Sequence, residues 1–290
     1  MRIFLVINKF AGRKNNYKKV LKKIQYRLKS NHYIVEYAFS EYRGHATKLA
    51  ADAAKKNFDR IVAVGGDGTV NEVALGLLET SKVMGIIPTG SGNGLARDLG
   101  ISTGIEKSID SLLKGNVKQI DVCRFNKQHF LCTSGIGFDA SVADKMGKTK
   151  KRGFLQYIKL TIQESISFQP FNIKIQIDDK IIEKPVFLLT FANARQFGNN
   201  AFIAPLANMG DGLIDVVLVN PFNKILLPVF AIALFTKIIH KLPFVETYKA
   251  KKVELENTET NIFHFDGEPG KLIVPAKISI DTNKLNVICG

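Results

Sequence analysis

The sequence predicts two domains of different fold class, an α/β domain over residues 1–122 and a mainly β domain over residues 123–290. Two observations predict the pair. Before residue 100, two strand–glycine loop–helix units stand one directly after the other. Past residue 122, strand and helix no longer alternate, and short strand-like runs follow one another between turn residues. With 290 residues and 46% hydrophobic content, the chain can bury a core in each domain.

The elements of the first domain justify themselves in order. Ile3-Phe-Leu-Val-Ile7 reads as a buried strand that ends in a polar, glycine-containing loop, Asn8 to Gly12. Arg60-Ile-Val-Ala-Val64 reads as a second, followed by Gly65-Gly66-Asp67-Gly68 and the helix start Thr69-Val70-Asn71-Glu72. Val70, Val73, Ala74 and Leu77 fall on one face of that helix. Met84-Gly-Ile-Ile87 is a third strand, and Pro88-Thr89-Gly90-Ser91-Gly92-Asn93-Gly94 leads into a helix over Leu95 to Leu99. Such units bring their loops to the carboxyl edge of one parallel sheet, where open α/β sheets bind ligands. Unpaired amides at helix starts favour an anion there, and glycines let backbone approach it closely. The hydroxyls of Thr89 and Ser91 and the amide of Asn93 suit phosphate oxygens or a sugar.

Asp67 is the unusual member, because a carboxylate repels phosphate unless a cation lies between them. It points either to a magnesium-bridged nucleotide or to a carboxylate aimed at an acceptor hydroxyl. The plainer alternative is a tight turn with Asp67 as the helix N-cap. No glycine is followed by Lys-Ser or Lys-Thr at P-loop spacing, and Leu95 stands where a dinucleotide fingerprint needs its third glycine. Hydride transfer is therefore disfavoured.

In the second domain Ile173, Ile175 and Ile177 alternate with Lys174, Gln176 and Asp178, the pattern of a half-buried strand. Phe187 to Ala192, Leu213 to Val219, Lys252 to Glu256 and Ile262 to Phe265 read as further strands. Turn signals at Asp178-Asp179, Asn199-Asn200, Gly210-Asp211-Gly212 and Asn257 separate them.

Taken together, these motifs resemble the diacylglycerol kinase catalytic-domain family, which includes bacterial lipid kinases and sphingosine kinases. The two glycine loops are joined by Ser134-Gly-Ile-Gly-Phe-Asp139-Ala, by Phe191-Ala-Asn193-Ala-Arg195 through Ala204-Pro205 to Asp211-Gly212-Leu213, and by Asp266-Gly267-Glu268. The tetrad Gly-Gly-Asp-Gly alone also occurs in NAD kinases and phosphofructokinases; motifs in family order across the whole chain are more specific. The resemblance implies a Rossmann-like nucleotide domain, a β-sandwich domain and an active site in the cleft between them. It implies ATP and Mg2+, with transfer of the γ-phosphate to a lipid hydroxyl, most simply that of diacylglycerol. Gly65, Gly66, Asp67, Gly68, Thr69, Val70 and Asn71, with Thr89, Gly90, Ser91, Gly92 and Asn93, then hold the phosphates, and Asn8 and Ser40 are further contacts. Glu268 is the expected general base and Asp67 its rival, or the magnesium-linked carboxylate. Asp211 is expected to bind a structural magnesium with the carbonyls of Asn208 and Leu213; a plain Gly-Asp-Gly turn is the alternative.

Two departures matter. Asn8-Lys9 replaces the usual Asn-Pro, so Lys9 is either a phosphate contact or a solvated loop residue. Gly94 replaces the second acidic residue of many bacterial diacylglycerol kinases, and the Ser91-Gly92-Asn93 form is similar to the sphingosine-kinase branch. A long-chain-base kinase, and after it a soluble-metabolite kinase of the NAD type, are the competing readings.

Three cysteines without paired spacing argue against a disulfide framework or zinc site and, with an N-terminal apolar run that ends at Ile7, suggest a cytoplasmic protein. A formal net charge of +15 suits contact with an anionic membrane surface, here the inner one, and no nucleic-acid module is recognisable. A homodimer is compatible with the sequence. Lys148 to Arg152 precedes Phe154, Leu155, Tyr157 and Ile158, readable equally as a membrane-facing basic run or as a loop before a core helix. Ile225 to Ile239 is the most apolar segment. It is too short to span a bilayer and is expected to be a core helix, with a lipid-facing helix carrying Leu234 and Phe235 as the alternative.

Overall fold

The computed structural model describes residues 1–12, 16–149 and 154–290. The chain forms two compact units, Met1–Ile120 with Asn283–Gly290, and Asp121–Thr282. The first unit begins β1 (Arg2–Asn8), α1 (Asn16–Ser30), β2 (Ile34–Ser40) and α2 (His45–Ala54). It continues β3 (Arg60–Gly65), α3 (Asp67–Leu77) and β4 (Val83–Pro88), then α4 (Gly94–Asp98), α5 (Ile105–Lys114) and β5 (Val117–Ile120).

The second unit begins β6 (Cys123–Phe125), β7 (Gln128–Phe130), β8 (Thr133–Gly137), α6 (Phe138–Lys148) and α7 (Phe154–Ser167). Next come β9 (Phe171–Ile177), β10 (Lys180–Val186), β11 (Leu188–Ala192) and β12 (Ile214–Val219). After α8 (Leu227–Phe235) it ends with β13 (Val245–Ala250), β14 (Lys252–Thr258), β15 (Ile262–Phe265), β16 (Glu268–Lys271) and β17 (Ala276–Ile280). The last strand, β18 (Leu285–Ile288), belongs to the first unit.

The first sheet has the order β2-β1-β3-β4-β18-β5. All its pairings are parallel except β18 with β5. Ile3, Leu5 and Ile7 of β1 and Val62 and Val64 of β3 pack with Val20, Ile24 and Leu28 of α1 and Ile109 and Leu112 of α5. The intervening Val6, Ile61 and Ala63 are also fully buried, so both faces of the sheet are covered, as parallel sheets require. Crossover helices return β1 to β4 in the same direction, and the loops after β1, β3 and β4 reach one edge.

Two antiparallel sheets make the second unit, in the orders β10-β9-β14-β17-β6-β7 and β13-β12-β11-β8-β15-β16. Their facing side chains form one core that includes Phe125, Ile175, Phe191, Val216, Leu255 and Phe263. The alternation expected around Ile175 is present along β9, where Phe171, Ile173, Ile175 and Ile177 are buried. A separate cluster covers the outer face of the second sheet, where Phe138 and Val142 of α6 and Phe230 and Ala233 of α8 pack on Leu188, Val217 and Val219.

Three sequence expectations are corrected or left aside here. Residues 123–290 were expected to lie wholly in the second domain, but β18 inserts between β4 and β5, with Asn286 opposite Val83 and Gln119. Its four residues alternate like those of the β domain, and only a long-range pairing decides their place. The apolar segment Ile225–Ile239 is not a core helix, because α8 buries only Phe230 and Ala233 and leaves Val229, Ile232 and Phe235 exposed. Of the basic run Lys148–Arg152, residues 150–152 lie outside the described residues.

Leu285 in β18 is 1% exposed. Leu285→Ala is expected to destabilise the first unit by about 2–5 kcal/mol, read by urea or thermal unfolding. Unfolding at the parent midpoint would show that β18 adds nothing to that sheet.

Candidate functional site

In the first unit the sheet edge draws the predicted residues together. Asn8 and Ser40 are register partners at the ends of β1 and β2, and the Asn8 side-chain amide donates to the Thr69 hydroxyl at 3.0 Å. The Thr89 amide donates to the Gly65 carbonyl at 2.8 Å, which extends the β3–β4 pairing into the loops. A Cβ on Gly90 would stand 2.6 Å from the Gly66 Cα, so the two loops touch in a way only glycine permits.

Asp67 does not cap its own helix. The N-cap of α3 is Gly66, and no side chain caps it. The Asp67 carboxylate instead crosses to the second loop, accepting the Asn93 amide at 2.8 Å and the Gly94 amide at 2.7 Å. Those amides open α4, so the carboxylate sits where unpaired donors favour negative charge. Gly92 makes room for it, since a Cβ there would lie 2.7 Å from Asp67 Oδ2. Asn93 adopts the left-handed conformation at φ 53° and closes the loop on itself, its side chain exchanging hydrogen bonds with Gly90 at 3.1 and 2.9 Å.

Around this loop lies a cavity of about 310 Å³ whose lining includes Thr89, Gly90, Ser91, Arg97 and Thr103. Arg97 donates through Nε to the Gly92 carbonyl at 3.0 Å, bringing a cation to the loop. Lys9 lies with its ammonium 4.6 Å above the Phe39 ring, which supports its reading as a loop residue held by a cation–π contact. Gly68 and Ser91 are exposed, Gly65 and Val70 are buried, and Asn71 is half-buried.

Glu72 was missed at the sequence level although it ends the first loop motif. Its two carboxylate oxygens accept the amides of Gly44 at 2.8 Å and Ala46 at 3.0 Å, which pins the β2–α2 loop after Ser40. An acid on the exposed side of a helix start is a weak signal, since it is ordinarily solvated.

The second unit arranges its motifs around the β15–β16 hairpin. Asp266 and Gly267 are its two loop residues, with φ 49° and 78°, as a tight Asp-Gly turn requires. The Asp266 carboxylate accepts the amides of Leu131, Cys132 and Thr133 at 2.8, 2.7 and 3.1 Å. Beneath the turn His264 is buried, and its Nε2 lies 3.1 Å from Asp139 Oδ2, an oxygen that also accepts the Thr190 hydroxyl at 2.8 Å. The Gly267 amide faces His264 Nδ1 at 3.4 Å, so the network assigns the proton to Nε2. Ser134 donates to the His264 carbonyl at 2.6 Å. The Ser134–Asp139 and Asp266–Glu268 motifs are thus one interlocked body, and they hold Glu268, which is half-buried, at the start of β16.

Residues 2–125 match the diacylglycerol kinase catalytic domain, and residues 133–289 match the YegS C-terminal NAD kinase beta sandwich-like domain. A diacylglycerol kinase from Bacillus subtilis is 30% identical over 278 residues, which cover 94% of this chain and 91% of that protein. This chain belongs to the diacylglycerol kinase family. It is a phosphotransferase with an alcohol group as acceptor. A Chromohalobacter salexigens protein named "Probable lipid kinase YegS-like" is 29% identical over 232 residues, covering 78% of this chain and 75% of its own. A solved diacylglycerol kinase structure from Bacillus anthracis shares the fold, with a TM-score of 0.76 at 24% identity over 100% of this chain and 97% of that one.

The family resemblance placed a structural magnesium at Asp211, whose carboxylate has partners within the chain. Asp211 Oδ1 accepts the Leu213 amide at 3.1 Å, and Oδ2 takes the Lys249 ammonium at 2.9 Å. The Asn208 carbonyl accepts the Asp211 amide at 3.4 Å. Lys249 also reaches Asp215 at 3.1 Å, whose carboxyl is raised above its ordinary value by burial and partly restored by that ammonium. In this arrangement the chain's own Lys249 ammonium stands against the Asp211 carboxylate, where the family resemblance places the ion.

Two measurements follow from these contacts. Asp67→Ala leaves two loop amides without an acceptor and is expected to cost about 1–3 kcal/mol, with nucleotide affinity at least tenfold weaker by fluorescence titration. A variant with parent affinity and lost turnover would instead make Asp67 the proton acceptor. Lys249→Met is expected to lower stability by about 1 kcal/mol, while a chelator leaves the parent's melting temperature unchanged. A melting temperature that falls with chelator and ignores Lys249→Met would return Asp211 to a metal.

Proposed function

We propose that this protein is an ATP-dependent lipid kinase whose acceptor is diacylglycerol. The observation that carries the reading is the Asp67 bridge, which joins two glycine loops at one sheet edge in a chain of the diacylglycerol kinase family. Phosphoryl transfer asks a protein mainly to position the γ-phosphate, neutralise its charge and orient the hydroxyl. The backbone of Gly65–Asn71 and Thr89–Asn93 offers amides and hydroxyls for the phosphates, with Asn8 and Ser40 beside them. Arg97 adds a fixed positive charge at the same loop. Asp67 keeps a lone pair on each oxygen after bonding the two amides, so it remains able to hold hydrated Mg2+. That ion, when bound, would offset charge on the transferring phosphate.

Glu268 is the proposed base. The acceptor oxygen attacks the γ-phosphorus, the bond to the β–γ bridging oxygen breaks, and the acceptor proton passes to the Glu268 carboxylate. Asp266, His264 and Asp139 act on this step only through the backbone that carries Glu268.

A long-chain-base acceptor is the second reading, favoured by Ser91-Gly92-Asn93 and by Gly94, whose amide is bound to Asp67. The deciding experiment supplies γ-labelled ATP, magnesium and mixed micelles carrying diacylglycerol or sphingosine, with NAD in a third arm. Label is expected in diacylglycerol, reduced about 100-fold or more in Glu268→Gln. Label confined to sphingosine would move the assignment to the second reading, and label confined to NAD would overturn both.

A further inference from the structure

The second unit exposes a face that neither of its cores uses. In α8 Phe230 and Ala233 are buried, whereas Pro228, Val229, Ala231, Ile232 and Phe235 are exposed. At 3.6 residues per turn these five occupy one arc of about 160°. Ile232 is 61% exposed, Phe235 47% and Val229 46%, and the flanking Ile225 and Ile238 are 80% and 43% exposed. Single exposed apolar side chains need no explanation, but a contiguous face does.

The charge around that face says what covers it. Between Asp215 and Glu246 the sequence has no acidic residue, while Lys224, Lys237 and Lys241 are all exposed. Lys237 follows the helix directly, with its ammonium 4.6 Å above the Phe202 ring. An apolar helix whose neighbours in sequence are lysines, with no acid among them, has the composition of one that lies in the interface of an anionic bilayer. No helix among the described residues is long and apolar enough to cross a membrane, so α8 would lie along the surface rather than span it. A second copy of this chain fits less well, because a two-fold contact brings the same lysines together from both sides. We propose that α8 and its flanking turns are the surface by which this protein docks on an anionic lipid bilayer. The docking stands on the exposed face; that the same bilayer delivers the acceptor rests on the lipid-kinase reading.

The test uses the full chain without ATP, co-sedimented with vesicles of phosphatidylcholine alone or mixed with phosphatidylglycerol. Binding to the anionic vesicles is expected to be at least tenfold tighter. Leu234 is half-buried against the outer core, so the informative pair is Ile232→Asp with Phe235→Asp. This double variant is expected to keep the parent melting temperature and to bind the anionic vesicles at least tenfold more weakly. Lys237→Gln and Lys241→Gln are each expected to weaken binding about fivefold at low salt. Anionic vesicles bound equally by the folded double variant would overturn the proposal. So would a parent dimer that the double variant dissolves while vesicle binding is unchanged. Phosphorylation of a short-chain, water-dispersed diacylglycerol should be unaffected by the double variant, which separates docking from chemistry. If no lipid is phosphorylated at all, the vesicle arm still reads the docking.

Discussion

One carboxylate holds the first unit's site together. Loops after parallel strands have no ladder of their own, and two adjacent glycine loops would each sample many conformations. Asp67 removes that freedom by taking two amides of the neighbouring loop, bonds of the charge-assisted kind. It can do so only because Gly92 leaves its oxygens room and because Gly66 and Gly90 lie in backbone contact. The same bonds set the acid against the amides that open α4. Beside it the cavity is lined by residues that include Thr89, Ser91, Asn93 and Arg97.

Capture of backbone amides by a carboxylate recurs through the protein. Glu72 takes those of Gly44 and Ala46, and Asp266 those of three successive residues from Leu131 to Thr133. Each bond ties a functional loop to an element distant in sequence, and each acid stands inside or beside a motif that reads superficially as catalytic. Asp67, Glu72 and Asp266 are thus braces between backbone segments. Glu268 is set at a strand start by a hairpin whose own aspartate is committed to those amides.

The strands and glycine loops of the first domain were legible because their signals are local. Apolar runs, turn residues and helix periodicity all fall within a few residues of one another, and Arg60 to Leu77 shows all three. What stayed hidden depends on pairings far apart in sequence. Lys249 meets Asp211 across 38 positions, and His264 meets Asp139 across 125, with nothing in either neighbourhood to announce the partner. The apolar run at Ile225–Ile239 was visible, but composition alone cannot say how much of such a helix a core will accept. Only Phe230 and Ala233 found room, since the outer face of the sheet was already covered in part by α6.

The position of β18 bears on how the chain comes to be folded during synthesis. The first unit's sheet lacks the strand between β4 and β5 until residues 285–288 have been made, although its other five strands are complete by Ile120. The β sandwich, by contrast, is closed within Asp121–Thr282 and can form as soon as that stretch has left the ribosome. The later-coded unit therefore has the opportunity to mature before the earlier one. Throughout that interval β4 presents an unpaired, strongly apolar edge, and a chaperone would have reason to hold it.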